Sequence, residues 1–114
     1  MTDDDIRNRL QIIVAELQNC VQQVAAVSGQ IKELEGTIEL LASQEDDRAV
    51  YRQTGPLLLE VADRESLAKD LKKTVETLSE HSNRLSQQET TLREQYEEIV
   101  KQFDYGSEAV ARQA

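Results

Sequence analysis

The stretch AVYRQTGPLLLEV, residues 49–61, interrupts a chain that is otherwise rich in Gln and Glu. It holds three consecutive Leu and the only Pro of the chain, which follows Gly55. Residues 49–54 and 57–62 predict two short strands, because Gly and Pro mark turns between β-prone segments. The sequence therefore predicts a β-hairpin over about residues 49–62.

The segment before this hairpin, about residues 3–44, has the apolar pattern of a coiled-coil helix. Thr2 and Asp5 have the spacing of a capping box, with Asp in place of the usual Glu. Apolar residues recur in alternating steps of four and three, which over so many repeats predicts a coiled coil rather than a globular helix. These residues are Ile6, Leu10, Ile13, Leu17, Cys20, Val24, Val27, Ile31, Leu34, Ile38 and Leu41.

The segment after the hairpin, about residues 63–103, predicts a second helix with Asp63 as its N-cap. Its apolar row recurs every seven residues and comprises Leu71, Leu78, Leu85, Leu92 and Ile99. The other seam positions are expected three residues further on, and all of them are polar: Thr74, His81, Gln88, Gln95 and Gln102. The sequence thus predicts that the second helix has one apolar row and one polar row. Residues 104–114 predict a frayed tail.

The two apolar rows fit each other if the chain folds back on itself. In five pairs the two residue numbers have the same sum, as an antiparallel register requires: Leu10 with Ile99, Leu17 with Leu92, Val24 with Leu85, Ile31 with Leu78 and Ile38 with Leu71. The same register places Cys20 opposite Glu89 and Val27 opposite Ser82. The predicted fold class is mainly α, a long antiparallel intrachain coiled coil with one central β-hairpin, within a single domain over residues 1–114.

Composition and charge exclude several classes of function. The formal net charge is −9, and the 13 basic residues are scattered among 22 acidic ones. Binding to nucleic acid or to an anionic membrane needs clustered cations, so neither is expected. No apolar run approaches the roughly 18 residues of a membrane span, and the N-terminal residues lack the features of a signal peptide. One Cys cannot form an internal disulfide, so a cytoplasmic location is predicted.

No catalytic, metal or cofactor site is predicted. A zinc site needs about four converging ligands, whereas His81 is the only His and is expected to fill a seam position. Cys20 lies on the apolar row with no neighbouring base or cation to activate its thiol, and is expected to act as a small apolar residue. The four Gly are isolated and form no phosphate-binding loop. We therefore do not expect an enzyme.

The hairpin is the feature that two helices alone do not explain. A connection between paired helices needs only about two to five polar residues. A two-stranded hairpin is marginal in water, and its open edges pair with other chains unless something covers them. The sequence predicts that hairpins of several subunits join into an intersubunit β-barrel, which removes the edges.

Paired heptad helices joined by VYRQTGPLLLEV resemble the β-type subunits of prefoldin, including the β-type subunit numbered six of the eukaryotic complex. The resemblance spans about Ile6 to Phe103 and rests on the Val-Tyr pair, the Gly turn and the aliphatic strand of a single hairpin. It implies a hetero-hexamer of two α-type and four β-type subunits. It further implies an ATP-independent holding chaperone that captures non-native polypeptides at the helix ends and delivers them to a group II chaperonin.

The resemblance implies two sets of functional residues. The hairpin set, which would build the barrel, comprises Val50, Tyr51, Leu57, Leu58, Leu59 and Val61. The tip set, which would bind unfolded clients, comprises Ile6, Leu10, Ile12, Ile13, Val14, Ile99, Val100, Phe103 and Tyr105. Ile12, Val14 and Val100 lie off the seam and widen the apolar arc. The alternative from the residues alone is a structural coiled-coil adaptor that dimerises as a four-helix bundle and has no client.

Overall fold

The computed structural model describes residues 2–113, with side chains described for residues 2–103. The element order is α1 (Asp3–Ser43), β1 (Tyr51–Thr54), β2 (Leu57–Glu60) and α2 (Arg64–Gln113). Two long helices around one antiparallel hairpin confirm the predicted fold class. Helix α2 ends at Gln113, beyond the end predicted near residue 103. The frayed tail predicted for residues 104–114 lies outside the described side chains.

Both helices begin at the predicted caps. The backbone N–H of Thr2 donates to Asp5 Oδ2 at 3.1 Å, and the N–H of Asp5 donates to Thr2 Oγ1 at 3.2 Å, so the capping box is complete. The hydrogen bond from the Thr2 backbone N–H, reinforced by the Thr2 side chain, lowers the pKa of Asp5. At the start of α2, the N–H of Ser66 donates to Asp63 Oδ1 at 3.0 Å, which is the N-cap contact.

The chain forms two compact units, Met1–Ala25 with Asn83–Ala114 and Ala26–Ser82. In the first unit the start of α1 packs on the later part of α2. Ile6, Ile13 and Ile99 form its buried cluster, and Leu10 and Phe103 pack against them. This cluster is the one that the predicted antiparallel register brings together.

The apolar row of α1 has two sides that differ in burial. Every one of its eleven predicted positions is buried or half-buried. In the first unit Ile6, Ile13 and Cys20 are buried, with 4–8% of their surface exposed. The residues between them are only half-buried, namely Leu10, Leu17 and Val24. Helix α1 therefore points one side of its apolar row fully inward and leaves the other side partly open.

The predicted second row of α2 is wrong. Its polar residues Thr74, His81, Gln88, Gln95 and Gln102 are all exposed. The positions that turn toward α1 lie four residues after each apolar-row residue, as the antiparallel register predicts for Ser82 and Glu89. Of this row Val75, Ser82, Glu89 and Phe103 are half-buried, and Tyr96 is 38% exposed. Helical positions three and four residues apart share a face, so the heptad spacing of the leucines alone is compatible with either row facing α1. His81 accordingly fills no seam position.

In the second unit the hairpin closes on a two-residue turn. Thr54 pairs with Leu57, and Gly55 between them has a φ of 58°. A positive φ at the first central position, followed by Pro with its fixed negative φ, is the pattern of a type II′ turn, whose twist suits two adjacent strands. Beyond the strands, the N–H of Val61 donates to the Val50 carbonyl at 2.8 Å and extends the ladder.

Candidate functional site

The hairpin exposes apolar side chains on both of its faces. The register pairs Arg52 with Leu59 and Gln53 with Leu58, so the two leucines point to opposite sides. Leu58 is 69% exposed and Leu59 50% exposed. Tyr51 and Leu57 are 59% and 60% exposed, again on opposite faces. Neither face of this hairpin is covered by the unit that carries it.

A groove runs between strand β1 and the helices of the second unit. Its volume is about 500 Å³, and its apolar lining comes from Leu40, Leu41, Val50, Leu67 and Leu71. Leu40 has 72% of its surface exposed, the largest fraction among the exposed large apolar residues of the described part of the chain. The open apolar surface of the hairpin therefore continues onto α1.

One polar contact holds the connection beside this hairpin. Arg64, the first residue of α2, donates from Nη1 to the carbonyl oxygen of Glu45 at 3.0 Å. The N–H of Arg48 donates to the same carbonyl at 3.1 Å, which closes a turn after α1. The entry to β1 is thus anchored to the start of α2.

The structure separates the predicted tip set into three groups. Ile6, Ile13 and Ile99 are buried at 8%, 8% and 4% exposure, so they belong to the core of the first unit. Ile12 is 59% exposed and Val14 36% exposed. The half-buried members are Leu10, Val100 and Phe103. Tyr105 lies outside the described side chains.

Among the described side chains, three exposed large apolar residues were not in the predicted site sets. Val21 is 40% exposed and lies one heptad after Val14, a repeat that the sequence already contained. Tyr96, at 38% exposure, lies four residues after Leu92, on the row of α2 that turns toward α1. Leu40 directly precedes the seam residue Leu41, and no sequence pattern indicated that it would line a groove.

The seam of the first unit carries two polar features near Cys20. The buried Cys20 thiol donates to the Leu85 carbonyl oxygen at 3.2 Å. Glu89, one turn further along α2, holds the Arg93 guanidinium at 2.8 Å through its carboxylate. The thiol is buried against a carbonyl, and Glu89 is paired within its own helix, so this arrangement is structural.

The part of the chain that the structure describes has neither a metal-binding cluster nor a membrane-spanning helix. Among the described residues, no three His, Cys, Asp or Glu side chains converge on a possible metal position. Neither α1 nor the described part of α2 contains a segment long and apolar enough to cross a membrane. The exposed apolar surfaces of the two units are the features that remain.

The sequence of the chain is similar to those of known proteins. A family model described as prefoldin subunit matches residues 5–103. Two similar proteins are prefoldin subunit beta of Methanosarcina acetivorans, 33% identical over 102 residues, and that of Thermococcus kodakarensis, 31% identical over 95 residues. These alignments cover 83% of this chain in both cases, and 86% and 80% of the two relatives.

A solved structure agrees with these relatives. The crystal structure of the prefoldin beta subunit from Thermococcus strain KS-1 superposes with a TM-score of 0.82 at 27% identity, and the match covers 90% of each chain. The chain belongs to the prefoldin subunit family, a family of chaperone subunits. Within that family its resemblance is to the beta subunits.

Proposed function

We propose that this chain is the β-type subunit of a holding chaperone. It joins α-type and other β-type subunits in a hetero-hexamer of two α and four β chains. It captures non-native polypeptides in the cytoplasm without ATP and delivers them to a group II chaperonin. The observation that carries this proposal is the apolar surface that both units leave exposed in a chain of this family.

Assembly is the role we assign to the hairpin set. Tyr51, Leu57, Leu58 and Leu59 are each at least half exposed, so a lone hairpin would present apolar side chains and open strand edges to water. Related hairpins can cover both, since strand pairing satisfies the edges while the side chains fill a shared interior. Val50 and Val61, joined by a backbone hydrogen bond, extend the surface toward the helices.

Client capture is the role we assign to the tip set. Ile12 and Val14 are exposed beside the buried cluster of Ile6, Ile13 and Ile99. A client can bury the first two without disturbing the helices, at about 25 cal/mol per Å² of apolar surface. Reaching the three isoleucines would require the helix pair to open. Weak contacts on several subunits of one complex add up through effective concentration, so release needs no nucleotide.

The test is suppression of aggregation of a chemically denatured client by the full-length chain assembled with an α-type subunit. Ile12→Ser combined with Val100→Ser should weaken suppression severalfold while native mass stays unchanged. Leu40→Ser, which removes a more exposed apolar residue in the other unit, is the matched control and should retain suppression. Unchanged holding by the Ile12/Val100 variant would contradict the assignment of the tips.

A failure of the wild-type complex to suppress aggregation would overturn the holding function itself. In that case the structural adaptor becomes the better account. It predicts a dimer that persists after residues 49–61 are replaced by a short polar loop.

A further inference from the structure

One side of α1 in the first unit is apolar beyond what its packing with α2 uses. We call it the α1 stripe, and it consists of Leu10, Val14, Leu17, Val21 and Val24. Leu10, Leu17 and Val24 are half-buried, whereas Val14 and Val21 are 36% and 40% exposed. The steps of four and three place all five on one face of the helix.

The α1 stripe has defined limits. The same pattern continues to Arg7 before Val14 and to Ser28 after Val21, so a polar residue ends it on either side. Residues 10–24 span roughly 21 Å at 1.5 Å per residue, or about four turns. The row that α2 buries, with Ile6, Ile13 and Cys20, lies beside the stripe rather than on it.

A groove between α1 and α2 lies beside the middle of the α1 stripe, at Leu17 and Val21. Its volume is about 510 Å³, and its lining residues are Leu17, Gln18, Val21, Gln22 and Arg93. Glu89 holds the Arg93 guanidinium at 2.8 Å, so the one charged group in the lining is already paired. The groove therefore offers apolar contact and amide groups, with little net charge to attract a charged ligand.

We propose that this groove binds one amphipathic helix of a non-native polypeptide, which lies along the α1 stripe as a third helix. The proposal rests on the proposed holding function and specifies the conformation of the captured segment. An apolar row with helical spacing packs against the row of another helix. An extended segment would instead need a sheet edge to satisfy its backbone hydrogen-bonding groups. Helices α1 and α2 offer no such edge, because their own backbone N–H and C=O groups are hydrogen-bonded within the helices.

The size of the α1 stripe favours a transient client over a permanent partner. Val21 is its most exposed member at 40%. Five such side chains offer on the order of 200 Å² of accessible apolar surface, against roughly 800 Å² per partner in a standard stable interface. A second copy held through this groove alone would dissociate, whereas a client needs only a weak contact that several subunits repeat.

The experiment uses two fluorescent peptides of about 18 residues with the same apolar row at helical spacing. They differ only at two central positions, which are Ala in the helical peptide and Pro in the broken peptide. Fluorescence anisotropy measures their binding to the full-length chain assembled with its α-type partner. The helical peptide should bind about tenfold more tightly, because Pro in a helix interior breaks the helix.

Variants locate the binding site. Val14→Gln with Val21→Gln should weaken binding of the helical peptide about tenfold, since it removes the two most exposed apolar groups of the α1 stripe. Leu40→Gln removes a side chain that is more exposed, at 72%, but lies in the second unit and off the α1 stripe, and should leave binding within about twofold. Val14→Ala with Val21→Ala, which favours the helix, serves as a second variant if the Gln variant unfolds on heating at a lower temperature.

Four outcomes overturn the proposal. They are equal binding of the broken peptide, no binding of the helical peptide, no effect of either double variant, and a loss of native mass in the double variants that would identify a second copy as the occupant. Aggregation of a denatured client is followed on the same samples. If the wild type suppresses aggregation but does not prefer the helical peptide, this inference fails and the holding function stands. If suppression is absent, the holding function fails.

Discussion

At the first turn of α1, Thr2 holds the carboxylate of Asp5 in its ionised form. The cap contacts lower the pKa of Asp5 from its ordinary value of 3.8. A lowered folded-state pKa means that the cap contributes fully above 3.8 and is lost as the pH falls through the folded value. The first turn should therefore fray on acidification, which amide exchange of Asp5 and Ile6 would detect.

An NMR titration of the Asp5 carboxyl group measures this directly. The wild type should titrate below 3.8. Thr2→Ala should move the midpoint only part of the way back, because the backbone N–H of Thr2, the larger cause, is retained. A wild-type midpoint at the ordinary value would show that the capping box is not formed in solution.

Three glycines allow the effect of backbone conformation on stability to be separated from the effect of side-chain packing. A Cβ added at Gly29, Gly36 or Gly55 would meet no atom within 4 Å, but only Gly55 has a positive φ. Gly29→Ala and Gly36→Ala, inside α1, should each raise the free energy of unfolding by about 0.5–1 kcal/mol.

Gly55→Ala is the matched control. It should lower the free energy of unfolding by about 1 kcal/mol, since L-residues are disfavoured in the left-handed region. Denaturant titration at one protein concentration measures all three variants. The same sign of effect at all three positions would contradict this explanation.

At the scale of the elements, neighbouring residues of α2 test which row faces α1. Val75 is half-buried, and Thr74 beside it is exposed. Val75→Ala should cost about 1 kcal/mol of unfolding free energy through lost apolar contact. Thr74→Ala should cost nothing or stabilise slightly, because Ala has the higher helix propensity. If thermal or denaturant unfolding showed a greater loss of unfolding free energy from Thr74→Ala than from Val75→Ala, the row of Thr74 would face α1, as first predicted.

The sequence was sufficient for α1 and for the position of the hairpin. Eleven apolar residues in unbroken steps of four and three leave one helical face to bury, and the Gly55-Pro56 pair leaves one place to turn. In α2 the row three residues after each Leu is polar, and the alternative row contains Ser82 and Glu89 in its middle. The apolar content of the two rows therefore did not reveal how the helix is rotated about its axis, and only the antiparallel register, which placed Glu89 opposite Cys20, indicated the correct row.

The same missing rotation explains what the sequence did not reveal about the tips. A heptad pattern identifies both sides of the apolar row of α1 but not which side is buried. Ile6 and Ile13, which lie on the seam, were placed in the tip set together with Ile12, although of these three only Ile12 is exposed. The open α1 stripe becomes recognisable only when Leu10 and Leu17 are found half-buried beside a fully buried row.

At the scale of the whole molecule, we propose that the hairpin determines which subunits the chain assembles with. Leu58 is the most exposed of the large apolar residues of the hairpin at 69% and has no role in the helix seam. Leu58→Lys should lower the native mass of the complex while the helical circular dichroism signal is retained, because a buried lysine would destabilise a shared sheet or barrel. Arg52→Lys is the control and should assemble as the wild type. Full assembly of the Leu58 variant would exclude this side chain from the interface.

Native mass spectrometry of the full-length wild-type chain, alone and with an α-type subunit, tests the central claim that other subunits cover this hairpin. The expected result is an assembly that includes the α-type subunit, a hexamer of two α and four β chains, in which the amides of residues 51–60 are protected from exchange. A stable monomer at working concentrations, in the presence of the α-type subunit and with those amides already protected, would contradict it.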